Sequence, residues 1–195
     1  MKSISNTIAN TLWTHGIIQE EDLEICRYGL GIFISSLLEV FSILVISFFI
    51  GNLFETILFF VSFVPLRIYA GGYHANTRLS CYLLSLAVYA VFTAIIYILP
   101  QSLYVTVNLL ITVSALVVVL IAAPIIHKNK TVNNFEKAHY RKISIFICLS
   151  ETLTILLLTA IFPYSKYIVS LAIGQSVVTV SMLAAIIKGK LVADK

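Results

Sequence analysis

Apolar residues fall along this chain in long blocks rather than short alternations. Six blocks can be read: Tyr28–Ile50, Phe54–Tyr69, Leu79–Leu99, Leu103–Ala123, Ile143–Phe162 and Tyr167–Ile187. Five come close to the roughly 20 residues that a helix needs to cross a hydrocarbon core. The second is short and bounded by Glu55 and Arg67, so it spans only if those side chains snorkel to the two interfaces. A re-entrant hairpin is the alternative there, and it would change the parity of everything that follows. Ahead of the first block, Ile4, Ile8 and Leu12 recur at helical spacing with Trp13 beside them. This predicts a short amphipathic helix in the membrane interface or, equally, an ordinary docked terminal helix. The opening "MKSISNTIANTLWTHG" has one Lys and no continuous apolar core, and is not built like a secretory leader.

Composition sharpens this picture. Of 195 residues, 59% are hydrophobic and 11% charged, with mean hydropathy +0.99. A soluble domain carries about 25% charged residues, and so little polar surface cannot cover so much apolar side chain. The expected fold is an all-α, polytopic membrane bundle of about six segments, the second one short, with an N-terminal interfacial helix. With no internal repeat or low-complexity linker, residues 1–195 read as one domain. Within it, 1–26 form the interfacial region, 67–81 the turn and helix start that gather reactive groups, and 124–142 a basic loop.

Charge tests the layout. With the N-terminus inside, the outer loops are 51–53, 100–102 and 163–166, and of 13 Lys and Arg only Lys166 falls outside. The positive-inside rule is then satisfied. The net charge of +4 is scattered along membrane edges, which is not a nucleic-acid footprint. The stretch "HKNKTVNNFEKAHYRK", residues 127–142, is basic. It reads as a topology determinant, or as a surface where Lys128, Lys130 and Lys137 meet an acidic partner segment. "EEDLE", residues 20–24, reads as a solvated helix face. Cys26, Cys81 and Cys148 form no metal or disulfide pattern, which suggests reduced thiols facing the cytoplasm. No metal or cofactor is expected.

Reactive residues gather in "GGYHANTRLSC", residues 71–81. Gly71 and Gly72 should end the second helix. Asn76 can cap the third, with Thr77, Arg78 and Leu79 in its first turn, and Cys81 then lies early on that helix with His74 in the turn before it. A free thiol is only a few per cent thiolate at neutral pH. A neighbouring His can take its proton, and Arg78, three residues earlier on the same face, favours the anion. The chemistry fits a nucleophilic Cys81 with His74 as base. From the chemistry alone it fits better a small apolar filler beside ordinary loop decoration, since a lone His–Cys pair is weak evidence. Cys26 and Cys148 read as packing residues, and His15, His127 and His139 as solvated.

"RIYAGGYHANTRLSC", Arg67 to Cys81, resembles the signature of the accessory gene regulator B (AgrB) family, bacterial membrane cysteine peptidases that process quorum-sensing peptide precursors. The features are an Arg ending one apolar segment, a Gly-Gly-x-His-Ala run, and a Cys seven residues after the His. The resemblance implies His74 and Cys81 as the catalytic pair, with Arg67 and Gly72 in support. It further implies a precursor peptide as substrate, cut near its C-terminus and closed into a thiolactone or lactone, and a homodimer in a bacterial plasma membrane with the active site near the cytoplasmic face. Backbone N–H groups around Gly71 and Gly72, or Arg67 itself, are the candidates for holding an oxyanion. Asn76 and Ser80 are the nearest side chains for orienting His74. Glu39 and Glu151 lie inside predicted spans, where ionisable groups face the bundle interior or a wet cavity. They read as precursor contacts, as partners of each other, or as structural carboxyls. Asn108 and Gln175 should hydrogen-bond between helices, and Gly29, Gly31 and Gly174 permit close helix contacts. A small peptide transporter lined by the two glutamates, and a non-catalytic scaffold binding a sensor protein, are the rival readings.

Overall fold

In the computed structural model, residues 2–73, 75, 77–125 and 133–193 are described. The described chain forms seven helices: α1 Lys2–Thr14, α2 Leu23–Ile50, α3 Leu53–Ala70, α4 Arg78–Ile98, α5 Tyr104–Ala122, α6 Asn134–Ile161 and α7 Lys166–Ala193. Six of them, α2 to α7, are long and apolar enough to cross a membrane. Among the described residues there is no strand, only an isolated bridge between Gly71 and Ile125.

The second apolar block is one continuous helix despite Pro65. At 18 residues and about 1.5 Å per residue, α3 covers about 27 Å, enough to cross. It does so without snorkelling. Glu55 is buried and pairs with Lys166 at the start of α7, and Arg67 folds back onto the turn that follows. Both charges reach protein partners instead of the interface.

Several helices run beyond the blocks that hydropathy marks. α6 begins at Asn134, nine positions before Ile143, because Asn133 and Glu136 form a capping box around its first turn. Much of the expected basic loop is therefore helix, and Arg141 turns back to donate to the carbonyls of Ala123 (3.1 Å) and Leu120 (2.9 Å), closing the exposed end of α5. α4 starts at Arg78 with Thr77 as its cap, whose hydroxyl accepts from the Ser80 N–H at 3.1 Å. Asn76, the expected cap, lies outside the described residues.

α1 packs on α2. It buries Ser5 and Ala9 and leaves Ile4, Ile8 and Trp13 exposed, so its larger apolar groups face away from the bundle, as an interfacial helix requires. α3 packs most extensively against α7. Gly174 makes the approach possible, since a Cβ there would lie 2.5 Å from the Phe59 carbonyl oxygen. Asn108 and Gln175 bond between helices as expected: Asn108 donates to Thr159 (3.2 Å), and Gln175 to Thr152 (2.9 Å) and the Cys148 carbonyl (3.2 Å).

The turns sort to two ends. The α3–α4 turn, the stretch after α5 and the C-terminal half of α7 meet at one end through the Gly71–Ile125 bridge and the Tyr73–Ser181 bond. At the other, Tyr97 donates to the Ile50 carbonyl (3.1 Å) and Glu55 meets Lys166. Arg67, Arg78, Arg141 and Lys188 all belong to the first, basic end.

The buried Glu55 depends on an exposed partner, so the two halves of this ion pair are unequal. Lys166→Ala strands a buried carboxylate, whereas Glu55→Gln leaves a neutral group and a lysine that water can solvate. Thermal unfolding of the purified protein in detergent should show the larger loss of melting temperature for Lys166→Ala. Equal losses would contradict this account.

Candidate active site

The Gly-Gly turn is built around Arg67. α3 ends at Ala70, and Gly71 and Gly72 both take positive φ, 74° and 138°, a backbone that side-chain-bearing residues rarely adopt. This geometry turns carbonyls back towards α3. Arg67 Nη1 donates to the Gly71 carbonyl (2.6 Å) and to Ser181 Oγ of α7 (3.0 Å), and its Nη2 donates to the Tyr73 carbonyl. The Tyr73 N–H is shared between the carbonyl and the hydroxyl of Ser181, each at 3.0 Å. A Cβ on Gly72 would collide with the Arg67 guanidinium and with Ser181 Oγ, so the glycine serves space as well as conformation. On the far side, Ile125 donates to the Ala70 carbonyl at 2.8 Å. Lys188 Nζ lies 4.7 Å from the centre of the Tyr73 ring. Each charge-assisted bond is worth about 1.5–3 kcal/mol. They act against the entropy of fixing the turn residues, about 1–2 kcal/mol each.

Cys81 follows on the first turn of α4, its N–H bonded to the Thr77 carbonyl at 3.0 Å. The thiol is partly exposed and free. The backbone of Ala75 and the charges of Glu39 and Arg67 are the groups that act electrostatically on the sulfur. Arg78 turns elsewhere, with its guanidinium against Gly31 of α2. Of the suggested oxyanion donors, the Gly71 N–H is used by the Arg67 carbonyl, and both terminal nitrogens of Arg67 are engaged by the turn and Ser181.

The two membrane glutamates separate. Glu151 accepts from Ser62 (3.1 Å) in the seam between α3 and α6. Glu39 sits on α2 near Cys81, with a buried Oε1 that has no hydrogen-bond partner among the described residues. Cys148 is buried and Cys26 is half-buried on α2. His74, Lys128 and Lys130 lie outside the described residues, and Lys137 is exposed on α6. Tyr73, Ser181 and Lys188 were not anticipated. A serine in an apolar segment carries no signal of its own, since it ordinarily bonds back to its own helix.

A family model described as Accessory gene regulator B matches residues 2–186. The chain belongs to the AgrB family. Membership associates it with the processing of quorum-sensing peptides. It is also similar to Protein FsrB of Enterococcus faecalis (strain ATCC 47077 / OG1RF), 37% identical over 76 residues. That match covers 39% of this chain and 30% of the relative, so the aligned part spans under a third of FsrB. No solved structure matches. In this AgrB-family protein, the turn locked by Arg67 and Ser181 lies within the stretch Arg67 to Cys81.

The clamp has a readout independent of catalysis. With Cys26 and Cys148 replaced by serine, alkylation of Cys81 by a membrane-permeant maleimide reports how firmly the turn is held. Ser181→Ala, Arg67→Ala and Gly72→Val should each change the alkylation rate by about threefold or more while helicity by circular dichroism stays constant, because each breaks a contact that fixes the turn. Rates matching the parent in all three would mean that the turn holds without the clamp.

Proposed function

We propose that the protein is a membrane-embedded cysteine endopeptidase that removes the C-terminal part of a small precursor peptide and closes the remainder into a thiolactone or lactone autoinducer. The observation that carries this reading is the turn pinned by Arg67 and Ser181, which leads directly into the helix start that holds the free, partly exposed Cys81 thiol. Family membership adds the role in quorum-sensing peptide processing, and the charge bias of the basic end favours a site facing the cytoplasm.

In this mechanism His74 takes the Cys81 proton, and the thiolate adds to the scissile carbonyl. The oxyanion that forms is met by the Ala75 N–H. Its collapse breaks the C–N bond, and the leaving amine departs with the proton from His74. The acyl group now rests on Cys81 as a thioester. A thiol or hydroxyl within the same peptide then attacks this thioester, frees Cys81 and closes the ring. Exchange of one thioester for another changes little in energy, whereas water would waste the acyl group, so the site must stay dry. Glu39, whose buried Oε1 has no hydrogen-bond partner among the described residues, is available to an N–H donor that the peptide brings. Lys128, Lys130 and Lys137 supply cationic charge for an acidic segment of the precursor. The turn-clamping arginine commits three of its N–H groups to the turn and Ser181, and acts by positioning. An exporter reading requires the two glutamates on one path, and the Glu151–Ser62 bond within a packed seam argues against it.

Purified protein incubated with its cognate precursor should yield a covalent acyl adduct on Cys81, seen by mass spectrometry. Cys81→Ala and His74→Ala should each abolish cleavage with insertion intact, while Cys26→Ser and Cys148→Ser retain it. Cleavage that survives Cys81→Ala would defeat the proposal. Neutralising Lys128, Lys130 and Lys137 together should weaken precursor binding, and the difference from the parent should shrink as salt rises. An unchanged affinity removes that role from the three lysines.

A further inference from the structure

At the basic end, α1, the first turns of α2 and the start of α4 enclose a cleft of about 240 Å³. Ser5, Asn6, Glu24, Arg27, Tyr28 and Arg78 line it. Two guanidiniums from different helices meet there. Arg27 Nη2 donates to Asn10 Oδ1 at 2.6 Å, but its Nε–H is buried and has no acceptor among the described residues. Arg78 lies against Gly31, where a Cβ would come within 2.5 Å of Nη2 and 3.2 Å of Cζ. A glycine at that position is what lets Arg78 reach the cleft. Glu24 lines the same space without coming within ion-pair distance of either arginine, and Glu55–Lys166 is the ion pair formed among the described residues. The cleft therefore sets two guanidiniums against one carboxylate, with neither arginine in an ion pair and the Arg27 Nε–H without an acceptor among the described residues.

A buried donor without an acceptor costs about 1–3 kcal/mol, and two guanidiniums brought together repel. Both penalties are relieved by an oxyanion, and planar guanidiniums match a phosphate with paired hydrogen bonds. The surroundings select the source. α1 exposes Ile4, Ile8 and Trp13, and Ile25 and Tyr28 beside the cleft are 71% and 68% exposed. Such a rim suits acyl chains and the headgroup boundary. Two guanidiniums beside such an apolar rim match the charged headgroup and the acyl chains of one anionic lipid. We propose that the cleft binds the phosphate of an anionic phospholipid, with Arg27 and Arg78 as its ligands. The bound lipid would then fasten α1 and the first turn of α4 to one leaflet. Because Arg78 stands three residues before Cys81, it would also steady the helix start that carries the sulfur. This inference does not depend on the peptidase reading.

Native mass spectrometry of the full-length protein, released from detergent with added lipid, tests it. The probes are phosphatidylglycerol, phosphatidylcholine with the same acyl chains, and inorganic phosphate. One phosphatidylglycerol should be retained at about tenfold lower lipid concentration than phosphatidylcholine. Arg27→Gln with Arg78→Gln should erase that preference, and Gly31→Val should weaken it without altering charge. Lys142→Gln, which removes a cation elsewhere at the basic end, should leave it intact. Helicity by circular dichroism, matched to the parent, keeps the variants comparable, and Arg78→Gln alone serves if the double variant misfolds. Equal retention of the two lipids, or a preference that survives loss of the arginines, overturns the proposal. Displacement of the lipid by millimolar inorganic phosphate overturns the lipid assignment in favour of a small-anion site.

Discussion

Everything at the basic end depends on one guanidinium satisfying a backbone that has left its helix. Where a chain turns at a membrane boundary, its carbonyls lose their helical donors, and there is little water to replace them. The Gly71–Gly72 turn exposes carbonyls in just this position, and Arg67, one helical turn earlier, returns to meet those of Gly71 and Tyr73. Ser181 completes the arrangement from α7. A lysine could not replace this arginine, because a single ammonium lacks the fork that reaches two carbonyls and a hydroxyl together. The chemistry assigned to Cys81 thus rests on a residue that need never touch the reacting atoms.

The architecture was largely legible from residue pattern, and the reasons are physical. Six apolar blocks are conspicuous because hydrocarbon tolerates little else, and each coincides with a long helix. The block edges misled because hydropathy marks what lipid touches rather than where hydrogen bonding stops. The run from Asn134 to Lys142 is polar and still helical, extended by the Asn133–Glu136 capping box. The α4 cap was misassigned by one residue, from Thr77 to Asn76, as both side chains are competent caps and only the backbone decides.

The site was half legible. Arg67, Gly72 and Cys81 stand close in sequence, and their motif is recognisable. Their long-range partners were hidden, because Ser181 and Lys188 are over a hundred residues away and ordinary for an apolar helix. Glu55 and Arg67 were visible as charges in an apolar block, yet their roles required knowing that α7 lies alongside. Arg78 has the spacing to face Cys81 and instead rotates towards Gly31, since a missing Cβ two helices away creates the room.

The two polar fastenings between α3 and α7 have a mechanical corollary. Glu55–Lys166 pins the pair at one extremity and Arg67–Ser181 at the other, with Gly174 drawing the helices together between them. Slippage of even one residue, about 1.5 Å, would strain both rivets at once. The pair therefore behaves as a fixed jaw. α2 and α4, which bury little of their length, carry no such double fastening, so the bundle is least constrained on that side.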